Sequence, residues 1–128
     1  MATEEDRSAA AALRLFATTR LAVNIKNEAA IARAGGIEAV VAAMGTHRSS
    51  VGVQKHGCAA LGNLAAHYED NRAAIARAGG IVAVVAAMWT HRSSVGVQDQ
   101  GCWALVNLAF ENEENQTAIA RAGGIEAV

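Results

Sequence analysis

Apolar residues recur along the chain with the spacing of an amphipathic helix. In the segment 34–44, AGGIEAVVAAM, the residues Ile37, Val40, Val41 and Met44 are three or four positions apart and therefore share one helical face. The Gly-Gly pair ahead of Ile37 predicts a sharp corner, because glycine readily adopts the left-handed backbone that ends a helix. This pattern predicts a short helix, a tight corner and a second helix.

The same pattern returns with a fixed period. The string IARAGGI starts at residues 31, 75 and 119, so the spacing is 44 residues both times. Residues 27–70 and 71–114 are identical at 33 of 44 aligned positions, and in each a polar THRSS linker leads to a third helical pattern. A period of this length is typical of repeat proteins, whose units bury their apolar faces against their neighbours.

The sequence therefore predicts an all-α chain of three-helix repeats. Four segments are expected: an N-terminal partial repeat or capping helix, two whole repeats and a truncated C-terminal repeat, at 1–26, 27–70, 71–114 and 115–128. At both ends the partial repeats are expected to leave apolar faces uncovered, which favours self-association.

Individual positions follow from the helical spacing. Asn27 and Asn71 are predicted to cap the first helix of their repeats, and Thr3 with the acidic residues after it is predicted to form a capping box. Leu13, Phe16, Ala17 and Leu21 are predicted to share one face of the N-terminal helix. The third helices are predicted to bury Val53, Cys58, Leu61 and Leu64, and their equivalents Val97, Cys102, Leu105 and Leu108.

Composition narrows the classes of function. Lys and Arg total 11 against 12 Asp and Glu, a formal charge of −1, which argues against the clustered basic surface of a nucleic-acid-binding protein. No apolar run approaches the roughly 18 residues of a membrane span, and the acidic MATEEDRS is unlike a signal peptide, so we expect no membrane association. No phosphate loop, nucleophile–histidine pair or facing pair of carboxylates is apparent, so we expect no enzyme, no cofactor and no metal.

The cysteines and linker histidines have simple interpretations. Cys58 and Cys102 hold the same place in successive repeats, and helices stacked about 10 Å apart cannot form a disulfide, which needs Cα atoms within about 7 Å. We therefore expect buried free thiols and a reducing compartment, the cytoplasm or nucleus. His47 and His91 lie in identical linkers and are interpreted as solvated, with a metal or pH-switch role as the alternative.

Together these residues resemble a known family. The pattern Asn-x-x-x-Ile-x-x-Ala-Gly-Gly-Ile-x-x-Val-Val, then Val-Gln-x-x-Gly-x-Trp-Ala-Leu-x-Asn-Leu-Ala, resembles the armadillo repeat of β-catenin and importin-α over residues 27–128. The resemblance implies a right-handed solenoid. The chain departs from the pattern where Glu38, Val82 and Glu126 replace a proline, and where Ala59 replaces the tryptophan that is present as Trp103.

The resemblance also implies a function. Armadillo third helices line a concave groove in which asparagines hold an extended peptide, which assigns that role to Asn63 and Asn107. Trp103 is then the wall of a side-chain pocket, with Gln100 and Glu111 in the same row, and a peptide with a basic residue is the expected partner. The alternative is that the two asparagines only satisfy neighbouring backbone carbonyl groups. For Trp89, which replaces Gly45, a lid over the helix end is favoured over an exposed contact.

Overall fold

The computed structural model describes residues 2–8, 10–11, 14–15 and 25–123, and within these residues every regular element is a helix. The prediction of an all-α chain is confirmed. Seven helices have defined bounds: α1 (Ile25–Arg33), α2 (Gly36–Thr46), α3 (Val51–Ala65), α4 (Glu69–Arg77), α5 (Gly80–Thr90), α6 (Val95–Ala109) and α7 (Glu113–Arg121). Residues 4–8, 10–11 and 14–15 are also helical.

Equivalent helices have equal lengths and begin 44 residues apart. The first helices, α1, α4 and α7, have nine residues each, and the second helices, α2 and α5, have 11. The third helices, α3 and α6, have 15 residues and pack against each other. The predicted succession of a short first helix, a second helix and a third helix is present twice between residues 25 and 109.

Glycine corners join the first and second helices. Gly35 and Gly79 have φ angles of 87° and 88°, in the left-handed region, and the helices on either side of them are bent by 70° and 69°. The glycine that follows makes room for an isoleucine. A Cβ on Gly36 would overlap the side chain of Ile31, and a Cβ on Gly80 would overlap the side chain of Ile75. Both glycines of each pair are thus explained, one by backbone conformation and the other by close packing.

No single helix in the described residues is long and apolar enough to cross a membrane. Two bent pairs of helices, Asn27–Arg33 with Gly36–Thr46 and Glu69–Arg77 with Gly80–Thr90, reach the necessary length and apolar content only when the two members are counted together.

The structure corrects the predicted helix caps. α4 begins at Glu69, so Asn71 lies in its first turn, and Asn27 lies inside α1. The side chain of Asn71 is buried and donates from Nδ2 to the carbonyl oxygens of Leu64 at 2.8 Å and Glu28 at 3.5 Å. The amide is used as a donor to backbone carbonyl groups of other helices, which a local capping rule does not consider.

Other helix starts agree with local rules. The hydroxyl of Ser50 accepts a hydrogen bond from the Val53 N–H at 3.2 Å, and Ser94 does the same at the start of α6. The predicted capping box is confirmed, since the Thr3 N–H donates to the Asp6 carboxylate and the Asp6 N–H donates to the Thr3 hydroxyl. The predicted face of Leu13, Phe16, Ala17 and Leu21 lies outside the described residues.

The core follows the predicted apolar stripes with one exception. Val53, Cys58, Leu61, Leu64, Val97, Leu105 and Leu108 are buried. Cys102 is only half-buried, which corrects the prediction, because within the described residues α6 packs against one long helix, α3, on one side only. Burial raises the pKa of the Cys58 thiol to about 12, so it stays protonated and unreactive at neutral pH.

Methionine side chains fill the space that third-helix glycines leave. A Cβ on Gly57 would lie 2.6 Å from both Cγ and Sδ of Met44, and a Cβ on Gly101 would lie equally close to Met88. Any larger residue at these two positions would force the methionine out of its place. The glycines therefore set how closely the second and third helices approach.

A buried carboxylate connects α1 to the linker between α3 and α4. The side chain of Glu28 is 1% exposed, and its Oε2 lies 2.9 Å from Nδ1 of His67. Its Oε1 is buried and has no hydrogen-bond partner. Burial raises the pKa of Glu28 above its ordinary value of 4.5, against the smaller opposing effect of His67.

The replacement Glu28→Gln is expected to stabilise the fold by about 1 kcal/mol at pH 7, because it removes a buried charge with an unpaired oxygen. Since the pKa of Glu28 is raised in the folded state, the native protein takes up a proton as the pH falls towards 4.5. The wild type therefore gains stability relative to Glu28→Gln over that range. Urea unfolding of the wild type and the variant at pH 7, pH 5 and pH 4 measures this difference.

Glu4→Gln provides a control of opposite sign. The hydrogen bond from His47 lowers the pKa of Glu4, so the wild type is expected to lose stability relative to Glu4→Gln as the pH falls below 4.5. The same direction of change in both variants would contradict the assignment of Glu28 as a buried acid.

Candidate functional site

Four of the five predicted peptide-binding residues lie on the facing third helices α3 and α6. Asn63 is near the end of α3, whereas Gln100, Trp103 and Asn107 are on α6. Three of them, Asn63, Gln100 and Trp103, line an open groove of about 380 Å³. The rest of the lining is Ala59 and Asp99.

Trp103 stands on a glycine of the preceding third helix. A Cβ on Gly62 would overlap Cε3 and Cζ3 of the indole, so the ring rests directly on the α3 backbone while 40% of the residue remains exposed. The equivalent of Gly62 on α6 is Val106, which is 64% exposed. The role of Gly62 was missed from the sequence, although the change from glycine to valine between the repeats marks the position.

Asn107 has a defined contact with the neighbouring helix. Its Nδ2 donates to the carbonyl oxygen of Gly62 at 3.0 Å. This contact is the one that the alternative interpretation of the asparagines predicts. It orients the amide beside Trp103, one helical turn away, with the amide oxygen able to accept a hydrogen bond from a ligand.

The structure removes Glu111 from the predicted row. α6 ends at Ala109, Phe110 has an extended backbone and Glu111 has a φ of 48°, in the left-handed region. The argument that Glu111 shares a helical face with Trp103 and Asn107 is therefore wrong, because no helix continues through it. Glu111 is exposed in the turn that leads to α7.

One acidic group lines the groove: Asp99, which is exposed. Glu111, Glu113 and Glu114 are exposed beyond the end of α6 and are not part of the lining. An indole face next to a carboxylate is an environment that favours a cationic side chain.

His47 is not the solvated residue that the sequence predicted, and His91 is half-buried. Nδ1 of His47 lies 3.0 Å from Oε1 of Glu4, and its side chain is 10% exposed. Nε2 of His91 lies 2.8 Å from the carbonyl oxygen of Arg48. Both rings therefore bridge segments about one repeat apart. Among the described residues, no group of three or more His, Cys, Asp or Glu side chains could hold a metal ion.

Arg72 is a further residue that sequence reasoning missed. Its guanidinium donates to the carbonyl oxygens of Ala65 at 2.8 Å and Ala66 at 3.2 Å, and it stacks 5.1 Å from the centre of the Phe110 ring. The equivalent positions are Glu28 and Gln116, so no repeated arginine marked it. The contact joins the end of α3 to the end of α6.

No protein-family model, curated protein or solved structure matches this chain. The functional assignment therefore rests on the site itself. A larger cavity of about 410 Å³ lies between the N-terminal helical residues and α2. We assign it no role.

Proposed function

We propose that the chain is a non-enzymatic protein-interaction module that binds an extended peptide in the groove between α3 and α6. The observation that carries the proposal is the half-exposed Trp103, which stands on Gly62 with the amide of Asn107 one turn away. A large aromatic ring held at the surface by a dedicated glycine provides contact area that is already ordered before a ligand arrives.

The groove chemistry favours a peptide backbone with a basic side chain. An amide side chain both donates and accepts, so Asn107, besides its bond to Gly62, can pair with a peptide group irrespective of its sequence. Asn63 lines the same groove. A Lys or Arg side chain would lay its aliphatic part on Trp103 and direct its charge towards Asp99. The groove lining contains no acid–base pair and no set of metal ligands that would suggest a catalysed reaction.

We propose further that the helices form a right-handed solenoid of armadillo-type repeats. Support comes from the 44-residue offset of equivalent helices, the left-handed Gly35 and Gly79, and the contact between the third helices. Free thiols at Cys58 and Cys102 accord with a cytoplasmic or nuclear protein.

Trp103→Ala is expected to weaken binding of a lysine-containing peptide, selected from a random library, by about 30-fold, the effect of losing an aromatic hot spot. Asn107→Ala is expected to weaken it by about fivefold through one lost hydrogen bond. Because the acidic groups are exposed, raising the salt concentration from about 0.05 M to about 0.5 M should also lower the affinity. Fluorescence anisotropy of the labelled peptide measures all three effects.

Ser93→Ala, in the exposed linker before α6, is the matched control and should bind like the wild type. Unchanged affinity in both groove variants would reject the groove as the binding site.

A second candidate function, self-association, has its own observation. Val95 and Val106 on α6, and Phe110 directly after it, are exposed by 75%, 64% and 55%. The equivalents of the last two in the preceding repeat, Gly62 and Ala66, are buried and half-buried. On α3 this face is covered by the neighbouring helix. On α6 the equivalent face is exposed and apolar, as expected of a surface against which another helix packs.

We expect the chain to form a dimer through this face, since a symmetric pairing closes whereas a head-to-tail stack continues. Light scattering at about 100 µM, well above a micromolar dissociation constant, should give twice the mass of the chain. Val106→Lys should give the monomer mass, whereas the matched variant Val82→Lys, on α5, should remain dimeric. A monomeric wild type at this concentration would exclude this function.

A further inference from the structure

A second groove lies between the second helices α2 and α5. It has a volume of about 210 Å³, smaller than the sites that enclose drug-sized ligands, and it is separate from the groove at Trp103. Its lining includes Gly45 at the end of α2, Gly79 at the next corner and Arg48 in the linker. A Cβ on either glycine would meet no atom within 4 Å, so the space beside both is open.

The same place one repeat later is occupied by an indole. Trp89 is the equivalent of Gly45, and its Nε1 lies 3.8 Å from the position of a Cβ on Gly123, the equivalent of Gly79. The guanidinium of Arg92, the equivalent of Arg48, stacks on the indole with its Cζ 4.6 Å from the ring centre. Trp89 is 37% exposed, so it is neither a fully buried lid nor a free surface residue.

The groove between α2 and α5 therefore shares the corner glycine and the cation of this arrangement but has no aromatic ring. The corner glycine is present as Gly79, the stacking cation as Arg48 and the helix end as Gly45, which contributes no side chain. A groove with the same glycine and the same cation as the surroundings of Trp89 offers an indole from another molecule the contacts that Trp89 makes.

The rim of the groove supports the same ligand. Val82 lines it and is 64% exposed, although the equivalent residues are the acids Glu38 and Glu126. Exposure of a valine side chain to water is unfavourable. Here the side chain adds to the apolar lining that includes Val41 and Ala83. An acid at position 82 would instead leave a carboxylate beside the ring.

We propose that this groove binds a tryptophan side chain of a partner polypeptide, with Arg48 stacked over the indole as Arg92 is stacked over Trp89. The site lies on a different pair of helices from the peptide groove, and it stands whether or not that groove binds a peptide. Partners would thus be recognised by one aromatic residue at this surface.

Titration with N-acetyl-tryptophanamide tests the proposal, followed by the backbone amide signals of Val41, Val82 and Ala83 in ¹⁵N-labelled protein. Saturable shifts are expected, with a dissociation constant on the order of 1 mM for so small a ligand. N-acetyl-leucinamide should bind at least about tenfold more weakly, because it has no ring for Arg48 to stack on. Absence of saturable shifts, or equal affinity for the leucine compound, overturns the proposal.

Three variants locate the site. Gly45→Trp places an indole in the groove from within and should abolish binding, whereas Gly45→Ala should retain it. Val82→Glu restores the acid of the equivalent positions at an exposed site that does not threaten folding, and it should weaken binding by about threefold or more. Binding that persists unchanged in Val82→Glu, or in a Gly45→Trp variant with a native circular dichroism spectrum, overturns the assignment.

Free indole distinguishes a side-chain site from a site for a small molecule. Both indole and N-acetyl-tryptophanamide are expected to shift the same amide signals, because the groove is open and leaves room for the peptide groups. Binding of indole without binding of the capped amino acid would overturn the assignment to a polypeptide partner.

Discussion

The fold depends on the capture of carbonyl groups at the end of α3. The last four carbonyl groups of a helix have no partner within it. Here three of them accept from side chains of later helices: Gly62 from Asn107, Leu64 from Asn71 and Ala65 from Arg72. Asn115 and Gln116 make the equivalent bonds to the end of α6. Side chains of each unit thus donate hydrogen bonds to the carbonyl groups at the helix end of the unit before it. Few of the buried carbonyl groups there remain unpaired.

Glycines then decide how the surfaces between the units are shaped. Gly57 leaves room for Met44, so the second helix packs closely on the third. Gly62 leaves room for Trp103, so the indole lies at the edge of the groove. Gly45 has the opposite effect, because nothing fills the space beside it. Small residues at three positions therefore produce a packed core, a supported aromatic wall and an open groove from nearly identical repeats.

The helices and their order were predictable from the sequence because the apolar period and the glycine corners are local signals. Contacts between helices were not, since they depend on which segments meet in space: Asn107 donates to Gly62, 45 positions earlier in the chain. Asn71 was predicted as a cap although it donates across units, and His47 as solvated although Glu4 covers it. The row of groove residues was extended too far, because nothing local in the sequence showed that α6 ends before Glu111. Differences between the repeats, such as glycine at position 62 and valine at position 106, could have indicated these contacts but were not used in the prediction.

Asparagines with separate roles give the most direct test of this account. The amide of Asn71 is buried and donates to two carbonyl groups, whereas that of Asn107 is half-buried and donates to one at the edge of the groove. Urea unfolding of Asn71→Ala should show a loss of about 2–3 kcal/mol, because buried carbonyl groups lose their donor, and Asn107→Ala a loss below about 1 kcal/mol, because water can replace the amide. Equal losses, or a larger loss for Asn107→Ala, would contradict the claim that Asn71 holds the units together.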